Sequence, residues 1–163
     1  MIRTKDITRT AALTAVAVLL GYVESLFPPV AAGVKLGLAN TVVLFSLYTQ
    51  SVGKAWVIAI LKVLLCMMLF GNGAALLYSL SGALMSVLIM SIAKKTGQFS
   101  LVGVSASGGI SHNMAQLLCA YFIIGKGVLF YMPVLLVSGA VCGILTGIAT
   151  HIIVKRRDLF GKE

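Results

Sequence analysis

The chain has 163 residues, 60% of them hydrophobic and only 10% charged, with a mean hydropathy of +1.06. A soluble domain of this length carries about 25% charged residues, so a water-facing surface cannot be built from this composition and the surface must face lipid. The net charge of +9 would suit nucleic acid or an acidic partner if it formed one patch, but the basic residues fall in short clusters between apolar runs, as in membrane loops, and nucleic-acid binding is set aside.

Six stretches approach the roughly 20 apolar residues that a helix needs to cross the hydrocarbon core. They are 10–27, 35–50, 54–71, 74–93, 99–124 and 128–154, within one transmembrane domain spanning 1–163. The first follows Arg3, Lys5 and Arg9 and ends near Val30-Ala31-Ala32, a layout shared with secretory signals. Glu24 and the Pro28-Pro29 pair sit awkwardly in a signal, and further membrane segments follow, so an uncleaved first helix is expected. The second, Leu36 to Tyr48 with Asn40 inside it, is short enough to be a re-entrant helix buried by its neighbours.

The third carries Lys62 in the middle of AWVIAILKVLLCMMLF, too deep to reach water easily. The fourth places Tyr78 and Ser81 at i, i+3 in its outer half. The fifth contains His112, Asn113 and Gln116, with His112 and Gln116 on one face at i, i+4. The sixth runs into Lys155-Arg156-Arg157. Gly53, Gly71-Asn72-Gly73, Gly97 and Gly125-Lys126-Gly127 punctuate the joints.

Lysine and arginine set the orientation. With an even number of spans, one side collects Arg3, Lys5, Arg9, Lys54, Lys94, Lys95, Lys155, Arg156, Arg157 and Lys162, and the other only Lys35 and Lys126. The positive-inside rule then places both termini in the cytoplasm. Abundant small residues, including 17 glycines, imply close helix packing. Stripes run through Ser105, Gly109 and Asn113, and through Ser138, Cys142 and Thr146. Ala11 and Ala15 form a small-xxx-small pair that packs either within the chain or on a partner protein.

Ionisable groups at membrane depth cost about 2.5–3.5 kcal/mol on insertion scales and therefore pair or line a cavity. The candidates are Lys62, His112, Asn113 and Gln116, with Glu24, Lys35, Asn40 and Tyr78 in the outer half. One reading is a polar cavity open to the outside that receives a small polar or anionic molecule. The other is structural, with Lys62 paired to Glu24 or a helix-end carbonyl and His112 bonded to its neighbours. Glu24 and Lys35 flank the Pro28-Pro29 turn and would equally serve as a local ion pair.

Enzyme signatures are missing. The only aspartates, Asp6 and Asp158, are terminal, so no aspartate-rich motif exists to hold magnesium and diphosphate. No phosphate loop, nucleophile elbow or metal-ligand spacing occurs. Cys66, Cys119 and Cys142 are far apart in apolar stretches, and read as small buried hydrophobes rather than disulfide or zinc ligands. No catalysis, cofactor or metal is expected of this chain alone.

The stretches LGYVESLFP, GVKLGLANTVVLFSLY, LYSLSGALMS, GVSASGGISHNMAQLL and YMPVLLVSGAVCGILTG, with the Lys62 helix, resemble a small bacterial membrane family. It is labelled heptaprenyl diphosphate synthase component I, or Gx transporters, and the resemblance covers nearly the whole chain. The family is grouped with the substrate-binding S components of energy-coupling-factor transporters. That grouping implies a six-helix bundle in the cell membrane, an outward-facing site, and a first helix docking on a membrane coupling subunit through an AxxxA motif. Ala11 and Ala15 match that motif. ATP hydrolysis would come from separate ATPase subunits. The synthase label, set beside the missing aspartate motifs, implies only association with isoprenoid or quinone synthesis. Relatives on one scaffold bind varied vitamins and metals, so the ligand does not follow from the resemblance, and the lack of a His-rich N-terminus argues against a nickel or cobalt carrier.

Two functions therefore compete. One is a substrate-capture subunit for a small polar or amphipathic molecule, of vitamin, flavin, isoprenoid or quinone type. The other is a non-catalytic accessory subunit of polyprenyl diphosphate or quinone synthesis, or of a membrane redox pathway.

Overall fold

A computed structural model describes residues 4–26, 37–70 and 73–160, without the side chains of 74–75 and 158–160. Lys35 and the Pro28-Pro29 turn lie outside the described residues. Six α-helices follow in order: α1 (Thr4–Ser25), α2 (Leu38–Thr49), α3 (Val52–Phe70), α4 (Gly73–Thr96), α5 (Leu101–Ile124) and α6 (Met132–Phe160). A 3-10 segment, Lys126–Tyr131, leads into α6, and the described residues contain no strand.

The breakers act where their chemistry allows. Gly37, at φ 76, starts α2 from the left-handed region that a side chain disfavours. Ser100 caps α5, its hydroxyl accepting from the Gly103 N–H at 3.2 Å. Gly97, at φ 69, closes α4 with its N–H on the Lys94 carbonyl.

Four helical stretches are long and apolar enough to cross a bilayer: Thr4–Ser25, Val52–Phe70, Leu76–Thr96 and Lys126–Arg157. The 12 residues of α2 reach only about 18 Å, against a hydrocarbon core of about 30 Å. The 24-residue α5 has the length, but its Ser-Gly-rich half and His112, Asn113 and Gln116 lower its hydropathy. Large apolar side chains point outward over much of the surface, among them Leu19, Met68, Leu69, Phe122, Ile124 and Val137. The chain is a multi-pass membrane protein.

The short α2 occupies the inside of the bundle. It packs on α1, α3 and α6 and touches α4, while α4, α5 and α6 pack in sequence. Half of α2 is buried, including Val43, Leu44, Ser46 and Leu47. These join Ala55, Ile58, Ala59, Val87, Met90 and Val104 in the main core. That core fills the half of the bundle where α1, α3 and α5 begin and α2, α4 and α6 end.

The same half carries the charge. Lys54 Nζ meets Asp6 Oδ1 at 2.8 Å, joining the starts of α3 and α1. Lys94 Nζ donates to the Leu47 carbonyl at 2.6 Å and lies 4.8 Å over the Tyr48 ring, tying the end of α4 to that of α2. Lys5, Arg9, Lys95, Lys155, Arg156 and Arg157 belong to this end, whereas Lys126 belongs to the other. At the remote end the described residues form only a small cluster, Leu117 and Leu135 with Met114 and Val128 packed against them.

Candidate functional site

A cavity of about 240 Å³ opens in the half remote from the basic end. One wall is α3, where Lys62, Cys66 and Phe70 stand at i, i+4 and i+8 on one face. Lys62 is the deepest of the three and is 8% exposed. Its Nζ donates to Asn40 Oδ1 at 2.7 Å, on the first turn of α2. Val63, Met67 and Leu76 add apolar lining, and the Phe70 ring sits 5.5 Å from that of Tyr22, linking α3 to α1 near the helix ends.

A second wall comes from α1, through Gly21, Glu24 and Ser25. Glu24 Oε1 accepts a hydrogen bond from the Gly37 N–H at the entry to α2. Close approach of α1 to α3 depends on Gly21, because a Cβ there would lie 3.0 Å from the Cys66 sulfur.

The third wall is α5, with His112 and Gln116 on one face. Gly82 of α4 makes room for both. A Cβ at Gly82 would stand 2.8 Å from the His112 ring and 3.0 Å from Gln116 Cγ. His112 and Gln116, with Gly37 and Asn40, also border a smaller chamber of about 40 Å³. That volume holds a few waters at roughly 10–15 Å³ each, and Ser86, Ser105, Asn113 and Thr146 give it a polar lining.

Of the residues singled out in the sequence, the fold brings Glu24, Asn40, Lys62, His112 and Gln116 to the main cavity. Asn113 turns the other way. Its Nδ2 donates to the Leu135 carbonyl at 2.8 Å and to Ser138 Oγ at 3.2 Å, holding α5 to α6. Tyr78 is half-buried on α4 outside the cavity lining, where Leu76 and Ser79 stand instead. Cys66, Met67, Phe70, Ser79 and Gly82 escaped the sequence reading. The four-residue spacing of Cys66 and Phe70 from Lys62 was the available signal for two of them.

Ala11 and Ala15 are exposed on α1 and line a separate groove of about 540 Å³ against α3. Ile7, Val57, Leu61 and Leu65 make it apolar, with Asp6 and Lys54 at its basic end. Among the described residues, no group of three or more His, Cys, Asp or Glu side chains is placed to hold a metal.

No curated protein and no solved structure matches the chain. A family model described as heptaprenyl diphosphate synthase component I matches residues 13–153, a range that takes in every residue lining the cavity. The chain belongs to the heptaprenyl diphosphate synthase component I family.

Proposed function

We propose that the protein is a non-catalytic substrate-capture subunit of an energy-coupling-factor-type transporter, binding a small polar or amphipathic molecule from the outer face of the membrane. The observation that carries this reading is the cavity itself. Convergent polar groups (Glu24, Asn40, Lys62, His112 and Gln116) share it with apolar walls, the composition of small-molecule sites. The site lies opposite the Lys/Arg-rich end, which the positive-inside rule assigns to the cytoplasm. In this topology all six helices act as membrane segments, with α2 and the polar α5 sheltered by the others.

The exposed Ala11–Ala15 face and its groove against α3 would receive a helix of the coupling subunit, since small residues allow close backbone approach. Separate ATPase subunits would supply the energy. A second reading follows from the family description, which names a component of a synthase: a membrane accessory of prenyl-chain synthesis.

The deciding test is a thermal-shift screen in detergent with vitamins, flavins, quinone precursors and isoprenoid diphosphates against wild type and Lys62→Ala. A ligand that binds only the native state stabilises it by about 2.7 kcal/mol at 100 times its dissociation constant. A shift in wild type that is lost in Lys62→Ala supports capture. No shift from any compound, with Lys62→Ala merely less stable, favours the accessory reading.

A further inference from the structure

We infer that the cavity takes an oxyanion, a carboxylate or phosphate carried on an apolar body, with the anion lodged beside Lys62 and the first turn of α2. The assignment rests on the capture reading and names the chemical class of what is captured.

Lys62 is the one Lys or Arg among the described residues lining the cavity. Eight residues of α3 separate it from Phe70, which puts it about 12 Å deeper along the helix. Its neighbour Asn40 meets the ammonium with a neutral carbonyl oxygen at 2.7 Å. An ammonium has three donors, so it can bind a further acceptor in the cavity without losing Asn40. An oxyanion there would add an opposite charge beside a buried ammonium, the kind of pairing that buried charges favour.

The second contribution comes from α2. This helix begins inside the bundle, with Gly37 at its N-cap and no side-chain cap bond. A helix N-terminus carries roughly half a positive charge, and Gly37, Ala39 and Asn40 of this one line the cavity. Half-helices that start within a membrane protein commonly aim their N-terminal N–H groups at anionic substrate groups. The protein's own chemistry marks the same place, because the Glu24 carboxylate reaches across from α1 to accept from the Gly37 N–H. The ligand's anion takes the deeper position at Lys62, and its apolar part runs along Val63, Met67 and Phe70.

The opposite assignment is a cationic ligand held by Glu24. Four probes sharing one phenyl ring separate the two: benzoate, phenyl phosphate, benzyl alcohol and benzylamine, read by calorimetry and unfolding midpoint. The two anions bind and raise the midpoint, the alcohol and the amine do not, and Lys62→Arg keeps the response. Lys62→Met weakens anion binding by about 30-fold or more, the usual loss when one member of a buried charge pair is removed.

Should Lys62→Met fail to fold, native Lys62 is read through Cys66, one turn away on the same face of α3. With Cys119 and Cys142 replaced by Ala, an anionic thiosulfonate modifies Cys66 faster than a cationic one, and benzoate slows the reaction. Faster modification by the cationic reagent, or binding of benzylamine or benzyl alcohol in place of the anions, overturns the oxyanion assignment and leaves capture standing. Failure of all four probes, with equal rates for the two reagents, also overturns it, while capture is decided by its own screen. Labelling in nanodiscs identifies the source of the anion. Protection by phenyl phosphate in phosphatidylcholine assigns a soluble ligand. Protection by phosphatidylglycerol alone assigns a lipid headgroup, which keeps the oxyanion and removes capture.

Discussion

Asn40 and Asn113 are both amides at membrane depth, yet they work on opposite sides of the cavity wall. Asn40 Oδ1 accepts from Lys62, so Asn40→Asp would place a carboxylate against the ammonium. This variant is expected to raise the unfolding midpoint of the ligand-free protein, because opposite charges in contact stabilise one another. It is also expected to abolish the response to benzoate, because the added carboxylate occupies the ammonium and repels the probe. Asn113 instead bonds Leu135 and Ser138 across the α5–α6 seam. Asn113→Ala should cost about 1 kcal/mol, the scale of a polar contact between membrane helices. Unfolding titrations would show that loss, while calorimetry with a ligand found in the screen should show affinity unchanged. Spacing could not separate these two roles. Asn113 directly follows His112, so the α-helical step of about 100° alone turns it toward α6.

At the scale of elements, the α5–α6 crossing is built from backbone. Gly139, Gly143 and Gly147 repeat every fourth residue on α6. A Cβ at Gly139 would lie 2.7 Å from the Gly109 carbonyl oxygen, and one at Gly143 would lie 2.7 Å from Ala106 Cα. Gly109 faces the Gly139 carbonyl still more closely. Gly109→Ala must therefore push two backbones apart, and should destabilise by about 1–3 kcal/mol. Gly53→Ala meets nothing within 4 Å and should stay within about 0.5 kcal/mol of wild type. Equal effects of the two in a denaturant titration would contradict this packing. The sequence showed the small-residue stripe through Ser105, Gly109 and Asn113, and here those residues do face α6. It did not single out the glycines opposite, because a stripe of small residues says that something approaches closely without saying which helix it is.

For the whole molecule, the up-and-down course of the helices turns scattered lysines and arginines into one basic end. The Lys54–Asp6 and Lys94–Leu47 contacts confirm that segments distant in sequence meet there. In intact cells, a cysteine placed at Lys95 or Arg156 should resist a membrane-impermeant thiol reagent until the membrane is opened. A cysteine at Lys126 should react at once. In a background with Cys66, Cys119 and Cys142 replaced by Ala, labelling of Lys95→Cys in unopened cells would reverse the proposed orientation and put the cavity on the cytoplasmic side.

Composition by itself determined that the chain lives in lipid, because no arrangement of so few charges covers a water-facing surface, and the length of the apolar runs determined that it spans as helices. Hydropathy and breakers located six helices, since apolar length and Gly or Ser chemistry act locally, but α1 begins at Thr4 rather than 10 and α6 runs on to Phe160 rather than 154. Which polar residues share a cavity was decided only by tertiary structure. A 12-residue α2 packs inside the bundle, and the cavity in the remote half collects Glu24, Asn40, Lys62, His112 and Gln116 from four helices. Tyr78 carried the same signal in the sequence and stands outside the lining, whereas His112 and Gln116 reach it where Gly82 of α4 leaves them room, and such packing is not a property of the residue itself.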